Sequence, residues 1–209
     1  MHITLYGATG NAGSRILSEA LSRGHQVTAI VRDPASLAPR DELTITAGGV
    51  TSIDEIAAQI KGSDAVVSAL GPGPDEPGKL VSLVDPLIAA VAKNGGPRLL
   101  VVGGAGSLFV APGVTVIDSG YLPPEWLGIA KAHAEVLEHL RASSIDWTNF
   151  SPASFFEPGE LTGKFRLGKD DLISDEKHES RISMEDYAIA LVDELEKPQH
   201  IRSRFTIGY

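Results

Sequence analysis

An open, doubly wound, mostly parallel α/β sheet with helices on both faces is the fold this sequence predicts, and three observations predict it. Short apolar, β-rich runs alternate with segments of helical periodicity along the 209 residues. A glycine-rich stretch, "YGATGNAG" at 6–13, joins the first apolar run to the first helical segment. Glycine or proline recurs where later apolar runs end. A parallel sheet of this kind is buried on both faces and its crossovers are right-handed.

The elements follow in order. "HITLY" (2–6) is a strand. Residues 11–24 carry Ile16, Leu17, Ala20 and Leu21 at helical spacing and end in Gly24, a helix-terminating glycine. Residues 26–32 and 43–48 read as strands, with a helix at 52–62 that opens on Ser52 and Glu55, a capping box. "DAVVSAL" (64–70) is a buried strand. The helix at 79–96 contains Pro86, which predicts a kink or a new start near Asp85. A strand at 97–104, the longest helix at 125–143 and a strand at 146–152 complete the regular alternation. Beyond 152 the rhythm changes to short strands around a polar loop (163–183), a helix at 183–198 capped by Ser183, and a last strand at 203–209. The chain reads as one domain, 1–209, whose tail, 152–209, forms a small substrate lobe over one end of the sheet.

Composition narrows the function. The chain has no cysteine, which excludes disulfides, thiolate metal sites and cysteine nucleophiles. Its net charge of −9 argues against nucleic acid or an anionic membrane as partner. With no signal-peptide pattern at "MHITLYGATG" and no long apolar run, a cytoplasmic location is expected. Oligomeric state is not legible.

The glycine loop carries the chemistry. Gly7, Gly10 and Gly13, with Thr9, Asn11 and Ala12 between them, sit between a strand and a helix. The first glycine permits the turn, the second lets backbone N–H groups approach a pyrophosphate, and the third lets helix pack on strand. The helix N-terminus adds orphan donors and a partial positive charge.

In order, "YGATGNAG", "VTAIVRDP", "AVVSALGPG" and "LLVVGGAGSL" resemble the atypical short-chain dehydrogenase/reductases with NAD(P)-binding Rossmann folds. The likeness is nearest to the subgroup named for NADH-flavin reduction and more distant to biliverdin reductase B, with NmrA-like proteins in the same group. It covers nearly the whole chain, including "SRISMEDYA".

Arg32 and Asp33 both stand where the second strand meets the cofactor. Asp33 precedes Pro34 and reads as a turn cap. Arg32 is left for the 2′-phosphate, and in the resembling flavin reductase an arginine here goes with NADPH. NADP is therefore expected over NAD. Ligands bind at the carboxyl edge of such sheets. Leu70, Gly71 and Pro72 are thus expected beside the adenosine, Gly103, Gly104 and Ala105 beside the nicotinamide ribose, and Pro152, Ala153 and Ser154 beside the nicotinamide ring. In the resembling flavin reductase a histidine occupies the place of Ser154.

The larger dehydrogenase family sets a tyrosine four residues before a lysine, on one helical face. Here Lys131 is present and the tyrosine is Leu127. Lys131 is a candidate for contact with the nicotinamide ribose, its alternative being a surface lysine near Glu135. Tyr121 is a candidate substitute acid or cleft wall, and Ser107 a candidate substrate-binding hydroxyl. His133 reads as a core-edge histidine. Asp170, Asp171, Asp175, Glu176, His178 and Glu179 lack ligand spacing and read as a solvated hairpin, so no metal is expected. Phe109, Phe155, Phe156 and Trp126 are candidate walls of an acceptor pocket. The expected activity is NADPH-dependent reduction of a conjugated small molecule, a flavin or quinone. The rivals are an NmrA-like dinucleotide sensor and a sugar-nucleotide epimerase or dehydratase.

Overall fold

The computed structural model describes residues 1–72 and 76–209, apart from the Asn94 side chain. Gly73, the last residue of the "AVVSALGPG" motif, lies outside the described residues. The chain forms β1 (His2–Tyr6), α1 (Asn11–Ser22), β2 (Gln26–Val31), a 3-10 turn (Pro34–Ser36), β3 (Leu43–Ala47) and α2 (Ile53–Gln59). Then come β4 (Ala65–Ser68), α3 (Lys79–Asn94), β5 (Arg98–Val102), β6 (Phe109–Ala111), β7 (Val114–Thr115) and α4 (Pro124–Ala142). The last are β8 (Trp147–Ser151), β9 (Phe155–Glu157), β10 (Arg166–Gly168), β11 (Arg181–Ser183), α5 (Met184–Glu196) and β12 (Ser203–Gly208).

The main sheet has eight strands in the order β10-β12-β8-β5-β4-β1-β2-β3. Every pairing in it is parallel except β10 with β12. The chain builds outward from β1 to β2 and β3, then returns to place β4 on the other side of β1. That reversal opens a crevice at the carboxyl ends of β1 and β4, where a doubly wound sheet receives ligands.

Two apolar cores cover the two faces. Ile16, Leu17 and Ala20 of α1 and Tyr187, Leu191 and Leu195 of α5 bury the face that shows Leu5, Val67, Leu100, Phe150 and Phe205. Leu80, Val84, Leu87 and Val91 of α3, Val136 and Leu140 of α4, and Ile56 of α2 cover Tyr6, Val66, Leu99 and Val101. Each such side chain contributes about 1.5–3 kcal/mol relative to exposure. Rings of Tyr187, Phe150, Phe205 and His200 stack in one column, with neighbouring centroids 4.1, 3.9 and 4.2 Å apart. The Tyr187 hydroxyl donates to the Phe150 carbonyl at 2.7 Å.

Local chemistry sets the element ends. Gly24 adopts φ +77°, and the N–H groups of Gly24 and His25 close α1 on the carbonyls of Leu21 and Ala20. Ser52 caps α2 by accepting from Glu55 N, but the Glu55 carboxylate accepts from Thr51, so the box closes on one side only. α3 runs unbroken through Pro86, so no new helix starts near Asp85. Seven residues of α3 precede Pro86, whose ring crowds the Ser82 carbonyl and whose missing N–H leaves it unbonded, and packing of Val84 and Leu87 on the sheet holds the two halves in one element.

The tail is divided. β12, α5 and β10 extend and cover the main sheet, while β9 and β11 pair with each other beyond its carboxyl edge. The loop between them is tied down by the first turn of α5. Ser183 caps that turn through Asp186 N, and the buried Asp186 carboxylate accepts from Thr162 N, Gly163 N and the Tyr209 hydroxyl at 2.9, 2.8 and 2.8 Å. Burial pushes this carboxyl up, and those hydrogen bonds outweigh it and hold the group below its ordinary range.

Candidate dinucleotide site

The loop after β1 shows three different needs for glycine. Gly7 has φ +84°, and a Cβ there would stand 2.4 Å from the Ala69 carbonyl oxygen. At Gly13 a Cβ would stand 2.0 Å from the Gly7 carbonyl oxygen, so α1 rests directly on the turn. Gly10 faces outward, and a Cβ there would meet only the Gly7 oxygen, at 3.3 Å. Gly10 also caps α1 without any side-chain bond, and no acid lies in the first turn. The N–H groups of Asn11, Ala12 and Gly13 are therefore orphan donors beside the exposed Thr9 and Gly10. A pyrophosphate fits this cradle, which has donors, a favourable dipole and no side chain in the way.

At the end of β2 the two candidate side chains separate. Asp33 turns back to accept from Ala35 N at 3.0 Å and caps the 3-10 turn. Arg32 is exposed and has no hydrogen bond or ion pair among the described residues.

The other predicted positions lie along the same edge. Leu70 packs on the α3 face, with Gly71 exposed and Pro72 half-buried beside it. Gly103 is buried, and Gly104 and Ala105 are half-buried. A Cβ on Gly104 would be 2.9 Å from His133, and one on Gly106 would be 2.8 Å from Ala130. The glycines after β5 thus let α4 close on the sheet edge. The Nδ1 of His133 is buried there with no partner among the described residues, and desolvation pulls its pKa down to about 4. Pro152 and Ala153 are buried and Ser154 exposed at the end of β8.

Among the candidate catalytic groups, Lys131 is exposed and forms no ion pair with Glu135 or any other described residue. Tyr121 is 92% exposed in the loop before α4. Ser107 accepts a hydrogen bond from Arg204 at 2.9 Å. Trp126 and Phe155 are exposed at 60% and 50%, and the Arg181 guanidinium lies 4.9 Å from the centre of the Phe155 ring. Phe156 instead turns inward, its ring 4.7 Å from Tyr187, because alternation along β9 sends neighbours to opposite sides. Phe109 is half-buried in β6, in a short hairpin the sequence reading did not foresee. A groove of about 780 Å³ lined by Asp54, Lys61, Asp64, Lys93 and Pro97 opens at the opposite, amino edge of the sheet. Among the described residues no group of three or more His, Asp or Glu is placed to hold a metal ion.

The chain matches the NAD(P)H-binding family over residues 7–198. It belongs to that family. The Bacillus subtilis protein YwnB, uncharacterised, is 43% identical over 99% of this chain and 98% of its own length. A Bacteroides thetaiotaomicron structure, provisionally named an epimerase, is 47% identical with a TM-score of 0.93, covering 100% of this chain and 96% of that one. A Streptococcus pneumoniae structure, provisionally named an NADH-flavin reductase, is 37% identical with a TM-score of 0.89, covering 100% and 99%. The Rossmann-like fold read from the sequence is thus shown.

As an NAD(P)H-binding protein, the chain brings Gly7 to Gly13, Arg32, Leu70 to Pro72, Gly103 to Ala105 and Pro152 to Ser154 to one sheet edge. Two contacts escaped the sequence reading. Ala69 forms the floor under Gly7 and Gly13. Arg204 reaches Ser107 across 97 residues of chain. Only the packing role read for Gly13 hinted at the first, and nothing local marked the second.

Proposed function

We propose that this protein binds NADP(H) and reduces a conjugated small molecule of the flavin or quinone class. The observation that carries the reduction chemistry is on α4. Leu127, half-buried, stands four residues before Lys131, which is unpaired among the described residues, where the larger dehydrogenase family sets its tyrosine acid. Leucine donates no proton. A ketone that takes a hydride becomes an alkoxide and needs a positioned acid, which typically contributes 10²–10⁴-fold. A flavin or quinone spreads the charge over its rings and draws its proton from water.

NADP over NAD is supported by the division of labour at β2: Asp33 is committed to its turn and Arg32 is free for a phosphate. When bound, the reduced nicotinamide supplies a hydride. Gly10 and the first turn of α1 would hold the pyrophosphate, Lys131 would bond the ribose, and Ser107 would offer a hydroxyl to the acceptor. Trp126 and Phe155 provide flat apolar surface for a conjugated ring. Tyr121 contributes as an outer wall rather than as an acid, since a side chain 92% exposed is not held in one geometry. A cytoplasmic setting, where reduced dinucleotide is plentiful, goes with this reading.

The test is calorimetric binding of NADPH and NADH, followed by NADPH oxidation against flavins, quinones, aldehydes and ketones. Flavin or quinone turnover with little ketone reduction is expected. Tight NADPH binding without turnover of any acceptor would replace the reductase with a dinucleotide sensor, which also dispenses with the tyrosine.

A further inference from the structure

Arg15 stands on α1 one turn beyond Asn11, whose N–H is an orphan donor of the cradle. Its Nη1 donates to the Asn11 carbonyl at 3.1 Å and its Nε to Glu185 Oε1 at 2.9 Å. The two side chains of this ion pair are 29% and 21% exposed. A cation near a helix N-terminus opposes the helix dipole, and no acid lies in the first turn of α1 to compensate it. Glu185, in the first turn of α5, does so from another element. Its second oxygen, Oε2, accepts from Gly159 N at 2.8 Å. Burial pushes the Glu185 carboxyl up, and its bonds to Arg15 and Gly159 outweigh that and hold it below its ordinary range. Gly159 belongs to an exposed segment, 158–163, that follows β9 beyond the carboxyl edge of the sheet. The other bonds of this segment to α5, from Thr162 N and Gly163 N, run to Asp186, the next residue along. One carboxylate, Glu185, thus holds the helix of the cradle with one oxygen and the segment with the other.

We propose that Glu185 is a positioning residue that couples the dinucleotide cradle to segment 158–163, so that a bound dinucleotide orders the segment and the ordered segment strengthens dinucleotide binding. The proposal rests on dinucleotide binding at the glycine loop and does not depend on which acceptor is reduced. A phosphate on the N–H groups of Asn11, Ala12 and Gly13 fixes the first turn of α1. Arg15 is bonded to that turn, and its charge-assisted bond fixes Glu185 in turn. The Gly159 N–H then meets a stationary acceptor. The entropy cost of ordering is shared between the two events. The coupling is reciprocal: the factor that the dinucleotide gives the segment is returned to the dinucleotide. An exposed segment tied to α5 through three backbone N–H groups is the kind of local unit that opens and closes by itself.

Hydrogen–deuterium exchange of the peptide spanning 158–163, read by mass spectrometry, tests this beside calorimetric binding. It is measured with and without a saturating dinucleotide (NADPH or NADH, whichever binds tighter). In wild type the dinucleotide should slow exchange of the segment by about tenfold, within the usual range of coupling between sites. Glu185→Gln keeps one carbonyl oxygen and cannot accept from both Arg15 and Gly159. It should abolish the slowing and weaken dinucleotide binding by the same factor of about ten. Arg15→Met, which leaves Glu185 on Gly159, should do likewise, and the double variant should be no worse than either single one. A merely structural Glu185 would loosen the segment equally with and without dinucleotide, so slowing that survives in Glu185→Gln overturns the proposal. Additive losses in the double variant also overturn it. Should Glu185→Gln fail to fold, Arg15→Met cuts the relay from its other end, and the same two readouts decide. A wild type that binds neither NADPH nor NADH overturns the dinucleotide reading and this proposal together. Dinucleotide binding that leaves exchange of the segment unchanged overturns this proposal alone.

Discussion

Gly13 sits so close to Gly7 that a Cβ on Gly13 would stand 2.0 Å from the Gly7 carbonyl oxygen. The helix and the turn that precede the cofactor cradle are in backbone contact, and no rotamer change can relieve a methyl group inserted there. Gly13→Ala should therefore cost about 1–3 kcal/mol of stability and weaken dinucleotide binding by moving α1. A Cβ on Gly10 would meet only the Gly7 oxygen, tightly, at 3.3 Å, so Gly10→Val should fold with a smaller loss of stability than Gly13→Ala and lose NADPH binding. Thermal melting with calorimetry separates the two. Equal melting temperatures for wild type and Gly13→Ala would contradict the packing argument.

Arg32 and Asp33 make a second contrast. A charge-assisted contact to phosphate is worth about 1.5–3 kcal/mol, or roughly ten- to a hundredfold in affinity. Arg32→Ala should weaken NADPH by that factor and leave NADH nearly unchanged. Asp33→Ala removes only the cap on Ala35 N and should spare both affinities. Equal losses for the two dinucleotides in Arg32→Ala would shift the preference to NAD.

Burial of His133 sets a pH dependence. Its folded pKa of about 4 lies below the unfolded value of about 6.5. The unfolded chain binds the proton first, so stability falls as pH drops from about 6.5 towards 4 and is restored above that window. This one group accounts for up to about 3 kcal/mol. His133→Leu should flatten the melting temperature across that window. An unchanged slope in the variant would show that the imidazole is already protonated in the folded protein.

Leu127 offers a gain-of-function test. Leu127→Tyr places a phenol four residues before Lys131, on the same face of α4. Ketone reduction should rise by at least about tenfold, within the range a positioned acid contributes, while NADPH affinity stays the same. Steady-state kinetics with a simple ketone checks it. No rise would mean that the cleft does not bring a carbonyl to this helix face.

The order of strands and helices, the glycine cradle and the Asp33 cap were legible in the chain because each rests on neighbours in sequence. Helical spacing in 11–24, glycine at positions that need it, and Asp before Pro act within a few residues of one another. The same holds for Ser183 at the start of α5. Pro86 left a kink or a new helix start open from sequence alone; no new helix starts there, and Val84 and Leu87 of the one element pack on the sheet. Phe156 misled because its side follows from the pairing of β9 with β11, 26 residues away in the register Phe156 to Ile182.

What only the tertiary structure decided are the contacts between distant segments. Sequence by itself determined a Rossmann-like sheet, a glycine loop between its first strand and first helix, and a leucine four residues before Lys131. It was silent on the floor that Ala69 makes under Gly7, on the imidazole of His133 held against Gly104, and on Arg204 reaching Ser107. Periodicity and capping are local free-energy terms that a short window of chain carries with it. The burial of a histidine and the partner of a guanidinium depend on which strands lie side by side, and that is fixed only when the whole sheet closes around its two cores.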